Sequence, residues 1–548
     1  MRGLAEVAKI VLTADEAIFT DYHGVDLFGF GLCLPCRLVP KLVQYHLLTP
    51  RAPTERLRAR FAPYALCRVE ASLIAAGFNR HDVVIVPPHM LEKAIDSDTE
   101  IVAVHVLDPI GLAPVSWTLK ALAGGGMSCT ELEFRKLMHV VKSLKKKYKF
   151  KVVVGGPGNW QLRGYEDGYG IDVLFDGEAE VTFPIIVKKL LGGEEVPRYV
   201  KGEPMPLDNI PLITTPSRNG QVEVTRGCPR RCYFCSPTMW RFRSIPLDVV
   251  AKEIEFNLKN GIKTIGLVTE DILLYGAHGL ELNSNAVKKL FKVVMSLARK
   301  WGVSSKIGVS HVSCASALVL KDAVKYISDI QNLTDDEPLF TQTGLESGSP
   351  KLVAKYFRGK AYPWRPEDWP NIVVEASKLL NDLYWYPCFT YIVGFPDATP
   401  DDYIATTELI DRLRSEGFIG WSFPLLLIPM GGTLIEKDAS YLHLSRLPQE
   451  AIDCIVAGCE LSLDNSRMLI NKVIKTRNPV LSRILRRLAI LALNAMEIWI
   501  SDVKRDPSVI DSLYSKVDIR STPELIKAAM PNCLATVSYT HLTLPTTE

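Results

Sequence analysis

Three cysteines stand at Cys228, Cys232 and Cys235, a C-x3-C-x2-C spacing within one short run. Thiolates this close on one loop bind soft metal centres, and two chemistries compete for them. A zinc site takes four ligands, commonly as two paired knuckles, and no second pair lies near this run. A [4Fe–4S] cluster normally takes four cysteines, so three leave one iron with an open position. An iron open to a ligand suits catalysis better than electron storage. The run is therefore read as the ligand set of a catalytic cluster.

The elements that must hold this loop are legible around it. Strand-like runs recur at 221–224, 264–268, 306–310, 339–343, 388–393 and 422–428, with amphipathic helical patterns at 247–260, 284–301, 369–383 and 401–416. Short apolar strands alternating with helices predict parallel β/α units. The cysteines follow the first strand, and in β/α barrels the active site lies at the carboxyl ends of the strands. The other strand ends carry Glu270 and Asp271, then Ser310, then Gly344-Leu-Glu346-Ser347-Gly-Ser, then Gly394. Glycine lets a ligand approach the backbone, while acids at such turns equally serve helix N-termini.

The first 200 residues have a different rhythm. Strand-like runs at 7–12, 82–86, 101–106, 151–154 and 173–175 alternate with helical stretches at 64–76, 129–147 and 179–191. This predicts an open, doubly wound parallel sheet whose ligands bind beyond the strands' carboxyl ends. Asp108, Gly155, Gly156 and Glu178 occupy such ends. An insertion near 13–62 separates the first strand from the first helix and contains Cys33 and Cys36, at most half of a metal site.

The three cysteines, Phe234 before the last of them, the GxESGS segment at 344–349, Gly394 with Phe395-Pro396, and Pro429-Met-Gly-Gly-Thr433 together resemble the radical S-adenosylmethionine (SAM) superfamily. The turns at 155–156 and 176–180 resemble the cobalamin-binding-like domain that precedes many of its cores. The resemblance implies an α/β fold: an N-terminal doubly wound sheet, a partial (β/α)6 barrel and a helical C-terminal region. It implies a [4Fe–4S] cluster on Cys228, Cys232 and Cys235 whose free iron chelates SAM. Reductive cleavage of SAM then gives a 5′-deoxyadenosyl radical, which takes hydrogen from an unactivated C–H bond on the way to methylation or C–C bond formation. Phe234, Glu270, Asp271, Ser310, Gly344, Glu346, Ser347 and Gly394 become candidate SAM-side contacts. Asp108, Gly155, Gly156 and Glu178 become candidate contacts for cobalamin, a candidate second cofactor. Three departures stand out. Glu270-Asp271 replaces a Gly-Gly-Glu segment, Ala398 replaces a glutamate, and Asp26 breaks a D-x-H-x-x-G match begun by Asp21 and His23. Two alternatives stay open. One is a methylthiotransferase acting on tRNA or protein, for whose further N-terminal cysteines Cys33, Cys36, Cys67 and Cys129 are poorly placed. The other is a non-catalytic cluster- and SAM-binding protein.

With 548 residues the chain is long enough for about three domains. They are expected at 1–200, 215–437 and 438–533, followed by a Thr-rich stretch at 537–548 that reads as a non-native tail. A formal charge of +3 with 47% hydrophobic and 23% charged residues gives no bulk argument for nucleic acid, which is not expected as a partner. The expected partners are a small-molecule or lipid substrate and an electron donor such as ferredoxin or flavodoxin. Twelve cysteines without small-scaffold spacing, and no signal peptide at Met1, point to the cytoplasm. The segment 481–500 is apolar but interrupted by Arg483, Arg486 and Arg487. The uninterrupted part from Leu488 is about a dozen residues, too short to span a bilayer, and the segment reads as a core helix or a peripheral membrane contact.

Overall fold

The computed structural model of the chain describes residues 8–26, 28–236, 241–476 and 478–520. The expected tail at 537–548, the end of the C-terminal region at 521–533, and Val7 of the first expected strand lie outside these residues. The first unit is one parallel sheet of β1 (Ile10–Ala14), β2 (Val83–Ile85), β3 (Ile101–His105), β4 (Lys151–Gly155), β5 (Val173–Asp176) and β6 (Tyr199–Lys201). Their order is β2-β1-β3-β4-β5-β6, so the winding direction reverses between β1 and β3. The inner strands are unbroken apolar runs because both faces are covered. α1 (Tyr64–Ala75) and α4 (Thr182–Leu191) pack on one face through Leu66, Leu73, Phe183 and Val187. α3 (Cys129–Tyr148) packs on the other through Phe134, Leu137, Met138 and Val141. α2 (Pro114–Leu122) precedes α3 and leaves this sheet for the second unit. β6 was not anticipated: it is a short, largely exposed edge strand with no apolar run.

The second unit contains six parallel strands that begin β/α units. β7 (Gln221–Glu223) leads into a hairpin of β8 (Thr225–Arg226) and β9 (Arg243–Ser244), followed by β10 (Gly266–Val268) and β11 (Gly308–Val309). β12 (Leu339–Glu346), β13 (Trp385–Val393) and β14 (Trp421–Leu426) complete the series. The two three-stranded halves meet at a parallel bridge between His311 and Gln342, where the Val312 amide donates to the Gln342 carbonyl at 2.9 Å. The connecting helices are α5 (Leu247–Lys259), α6 (Ser284–Lys300), α7 (Lys321–Gln331), α8 (Trp369–Asp382) and α9 (Pro400–Ser415). The Asn283 side chain caps α6, and Thr399 with Asp402 forms a capping box at α9. An edge strand offers unpaired backbone groups. Here α2 lies along β14, and its Thr118 hydroxyl accepts the Leu426 amide at 2.8 Å.

α10 (Gln449–Val473) packs on α9 and β14, and the buried Tyr391 hydroxyl donates to the Cys454 carbonyl at 2.8 Å. α11 (Pro479–Arg505) contains the apolar segment at 481–500. It buries Leu485, Ile500 and Val503 and leaves Ile490 and Ile498 exposed, an amphipathic helix packed on one side. Among the described residues no helix is long and apolar enough to cross a membrane. Residues 519–520 return to the insertion, where the Ile519 amide donates to the Arg37 carbonyl at 2.7 Å.

Candidate active site

The three-cysteine loop is closed at its base by the antiparallel pairing of Thr225 with Ser244 and Arg226 with Arg243. The Thr225 and Thr269 hydroxyls, 2.5 Å apart, tie that base to the end of β10. Cys232 is buried, and Cys228 and Cys235 are half-buried. Among the described residues no three His, Cys, Asp or Glu side chains converge closely enough for one metal ion. A [4Fe–4S] cluster puts each thiolate on its own iron, so its ligands need not converge on a point. The charges around the loop suit thiolates. The Arg230 guanidinium donates to Cys228 Sγ at 3.6 Å and pairs with Asp271 at 2.6 Å. Burial raises the Cys228 thiol. Cys232 is lowered by its hydrogen bond with Cys235, and Cys235 is raised by the same bond. The buried thiols with adjacent cations fit a cluster.

The strand-end residues divide by what their polar atoms already hold. Asp271 is fully buried and is taken up by Arg230, by the Ser316 hydroxyl at 2.7 Å, and by the Leu273 and Ser313 amides. It supports the cysteine loop from beneath and has no free edge for SAM. Glu270 remains open to solvent at the barrel mouth, and its carboxyl is raised by desolvation in that concavity. The Ser310 hydroxyl bridges strands, accepting from the Thr269 amide and donating to the Thr269 carbonyl. Ser347 is buried against Thr406 and accepts from the Ser349 amide. Glu346 sits in the left-handed region at φ 60° and its carboxylate is ion-paired with Lys360. A Cβ on Gly344 would overlap both Glu346 Oε1 and Lys360 Nζ, so a larger residue there would displace both charged tips. Gly394 has φ 99°, and a Cβ would overlap Leu442. Phe234 packs edge-on to Phe357 and tilted against Phe395, an aromatic wall beside the last cysteine.

The carboxyl ends of both sheets face each other. Glu178, after β5, binds Arg226 at 2.7 Å and also Arg243, so it clamps the cysteine hairpin and is not free for a cofactor. Glu180 and Glu223 bind the same Arg226 at 2.8 and 2.7 Å. Beside this clamp lies a cavity of about 300 Å3 lined by His105, Gly155, Gly156, Glu178 and Val268. Burial, with Arg218 adding, pushes the His105 imidazole down to about 4, so it is neutral. Gly156 is glycine because a Cβ would overlap the Val106 carbonyl and His105. Asp108 lies outside this cavity lining. Its Oδ1 accepts from Ala113 and Gln161, and its buried Oδ2 has no partner. Ligand cavities run from about 300 to 1,000 Å3. This one lies at the lower bound, and no step is assigned to cobalamin.

Lys360, Arg230, Arg226 and His105 were not anticipated as site residues. Only Arg230, between two of the cysteines, carried a signal in its position. Cys36 and Cys129 lie on paired segments of the insertion and the helix start, and among the described residues they belong to no metal-binding group. Segments 34–36 and 127–129 run antiparallel, with the Cys36 amide on the Met127 carbonyl at 2.7 Å and the Cys129 amide on the Leu34 carbonyl at 3.0 Å. Burial pushes both Cys33 and Cys129 up to about 12.

Residues 222–410 match the Radical SAM superfamily. The tRNA-2-methylthio-N(6)-dimethylallyladenosine synthase of Sulfurihydrogenibium sp. is 22% identical over 56% of this chain and 66% of its own length. An uncharacterised methyltransferase of Pyrococcus horikoshii is 24% identical over 44% of this chain and 53% of its own. The ribosomal protein uS12 methylthiotransferase of Chlamydia felis is 33% identical over 38% and 41%. The chain thus spans less than two thirds of each of these relatives. Names that include tRNA leave the expected absence of nucleic acid without support. The radical SAM methyltransferase TsrM of Kitasatospora setae, solved with cobalamin and a [4Fe–4S] cluster bound, has the same fold at TM-score 0.50 and 14% identity over 78% of this chain and 77% of that one. Residues 222–410 are a radical SAM domain, of the superfamily that uses a [4Fe–4S] cluster and SAM.

Proposed function

We propose that Cys228, Cys232 and Cys235 hold a [4Fe–4S] cluster that binds SAM, and that the enzyme takes hydrogen from a C–H bond of a substrate admitted between the two facing sheets. Methylation or C–C bond formation would follow. When bound, the cluster and SAM supply one-electron cleavage of a C–S bond to methionine and a deoxyadenosyl radical. The observation that carries this reading is the cysteine loop pinned at the mouth of six parallel strands, with Arg230 against one thiol. The chain's residues do the positioning. The β8–β9 hairpin fixes the loop, Phe234 walls it, Glu270 presents an open acid at the mouth, and the Arg226 clamp keeps the first sheet over the opening. Desolvation of Glu270 favours its protonated form or a cationic partner such as an amine. Electrons would come from a reduced ferredoxin or flavodoxin in the cytoplasm. Gly155 and Gly156 beside the interface cavity support cobalamin as a second cofactor, which the visible spectrum of the chain reconstituted with cobalamin reports.

The test is anaerobic. Reduced chain with an intact cluster should release 5′-deoxyadenosine from SAM, and an intact cluster without cleavage overturns the radical reading. Methylthio transfer to tRNA or protein is a second reading, supported by the relatives' names and by the pairing of the segments that carry Cys36 and Cys129. Iron analysis separates the two: about four irons per chain for one cluster, about eight for two.

A further inference from the structure

The cysteine loop lies between two cations, Arg230 buried and Lys360 half-buried, each neutralised by an acid from a different strand end. On one side Arg230, with 5% of its side chain exposed, pairs with the fully buried Asp271 after β10. On the other side the Lys360 ammonium pairs with Glu346, at 15% and 8% exposure, and also donates to the Gly344 carbonyl at 3.2 Å. The second pair is a built feature. Glu346 takes a left-handed backbone that an L residue rarely adopts, and Gly344, two before it, leaves the space in which the two charges meet. Such strain persists only where the surroundings over-determine it and is concentrated at functional sites. The segment that carries Lys360 lies on the cysteine loop: the Tyr233 amide donates to the Tyr356 carbonyl at 2.9 Å, and a Cβ on Gly359 would overlap the Arg230 carbonyl.

We infer that Lys360 is a positioning residue for charge: its ammonium, held by Glu346 and the Gly344 carbonyl, stabilises the electron-rich state of a centre bound at Cys232 and Cys235 and so sets its reduction potential. Adding an electron adds negative charge, and a fixed cation in a low-dielectric site favours that state, while the paired carboxylate opposes it. The Lys360–Glu346 couple is then a balance whose two arms move the potential in opposite directions. The inference rests on the cluster reading above but not on SAM cleavage.

The test is an EPR-monitored redox titration of the full chain, reconstituted anaerobically without SAM, with iron counted on the same samples. Lys360→Met should move the midpoint to more negative potential, Glu346→Gln to more positive, and the double variant should return close to wild type. Lys360→Arg should stay at wild type. Opposite shifts at wild-type iron content support the assignment, because a merely structural role moves both single variants the same way or neither. Unmoved midpoints, or shifts of one sign, overturn it. If Lys360→Met holds no iron while Lys360→Arg does, the same charge is needed already for the thiolates to bind, which supports it. Loss of iron in both marks a packing role and overturns it. A midpoint that responds as expected in a chain that never cleaves SAM leaves this inference standing while the radical reading falls.

Discussion

The clamp between the two units gives a prediction whose size follows from contacts. Arg226 receives Glu178, Glu180 and Glu223 at 2.7–2.8 Å with 15% of its side chain exposed. Arg226→Met removes the cation and leaves the acids. Breaking a buried pair by deleting one partner costs ~3–5 kcal/mol. Glu178 keeps Arg243, and Glu223 reaches solvent at 17% exposure, whereas Glu180 at 4% is left uncompensated. The lower end applies, about 3 kcal/mol, or roughly 150-fold in the equilibrium for opening the clamp. The assay is amide hydrogen exchange by mass spectrometry on peptides covering 176–180, 225–226 and 243–244, because a chain of several units does not unfold in one step. Exchange there should rise by about two orders of magnitude, while α6 and its neighbours stay as in wild type. Adding Glu180→Gln should recover ~1 kcal/mol or more, since the stranded charge is then gone. A rise of less than ~5-fold, the range of a solvent-screened surface pair, would refute the claim that this network holds the sheets face to face.

Three further outcomes are expected. Serine at Cys228, Cys232 or Cys235 should abolish bound iron, while Cys314→Ser and Cys388→Ser, which alter buried thiols away from the loop, should keep about four irons per chain. Burial pulls the Asp402 carboxyl up, but Lys351, Ser349 and Thr399 outweigh it and hold it at about 2 against an ordinary 3.8. A depressed acid stabilises above its unfolded value and loses that contribution as pH falls through its folded value, so Asp402→Asn should lose ~2 kcal/mol at pH 7 and converge with wild type near pH 2 in urea titrations. Gly394→Ala should destabilise by about 1–3 kcal/mol in the same assay. Adding Leu442→Ala should relieve only the overlap, because the positive φ stays strained.

The α/β alternation was readable because a strand buried on both faces is an apolar run whatever lies next to it, and caps such as Asn283 and Thr399 act within one turn. The expected runs at 339–343 and 388–393 fall inside β12 and β13, and 284–301 differs from α6 by one residue. β6 was missed because an exposed edge strand needs no such run. The cysteine spacing was equally local, which is why the loop stood out before any fold was known. What residues at the strand ends hold was not local. Asp271, read as a SAM contact, is bound to Arg230 across 41 positions of chain, and Glu178, read as a cofactor contact, is bound to Arg243 across 65. Glu346 meets Lys360 only because the chain after β12 turns back over the same opening. By itself the sequence determined the elements and the loop, since periodicity, caps and ligand spacing act between near neighbours. Only the tertiary structure decided which charges face the thiols and which acids are already paired, since these depend on strand order and on how two sheets dock.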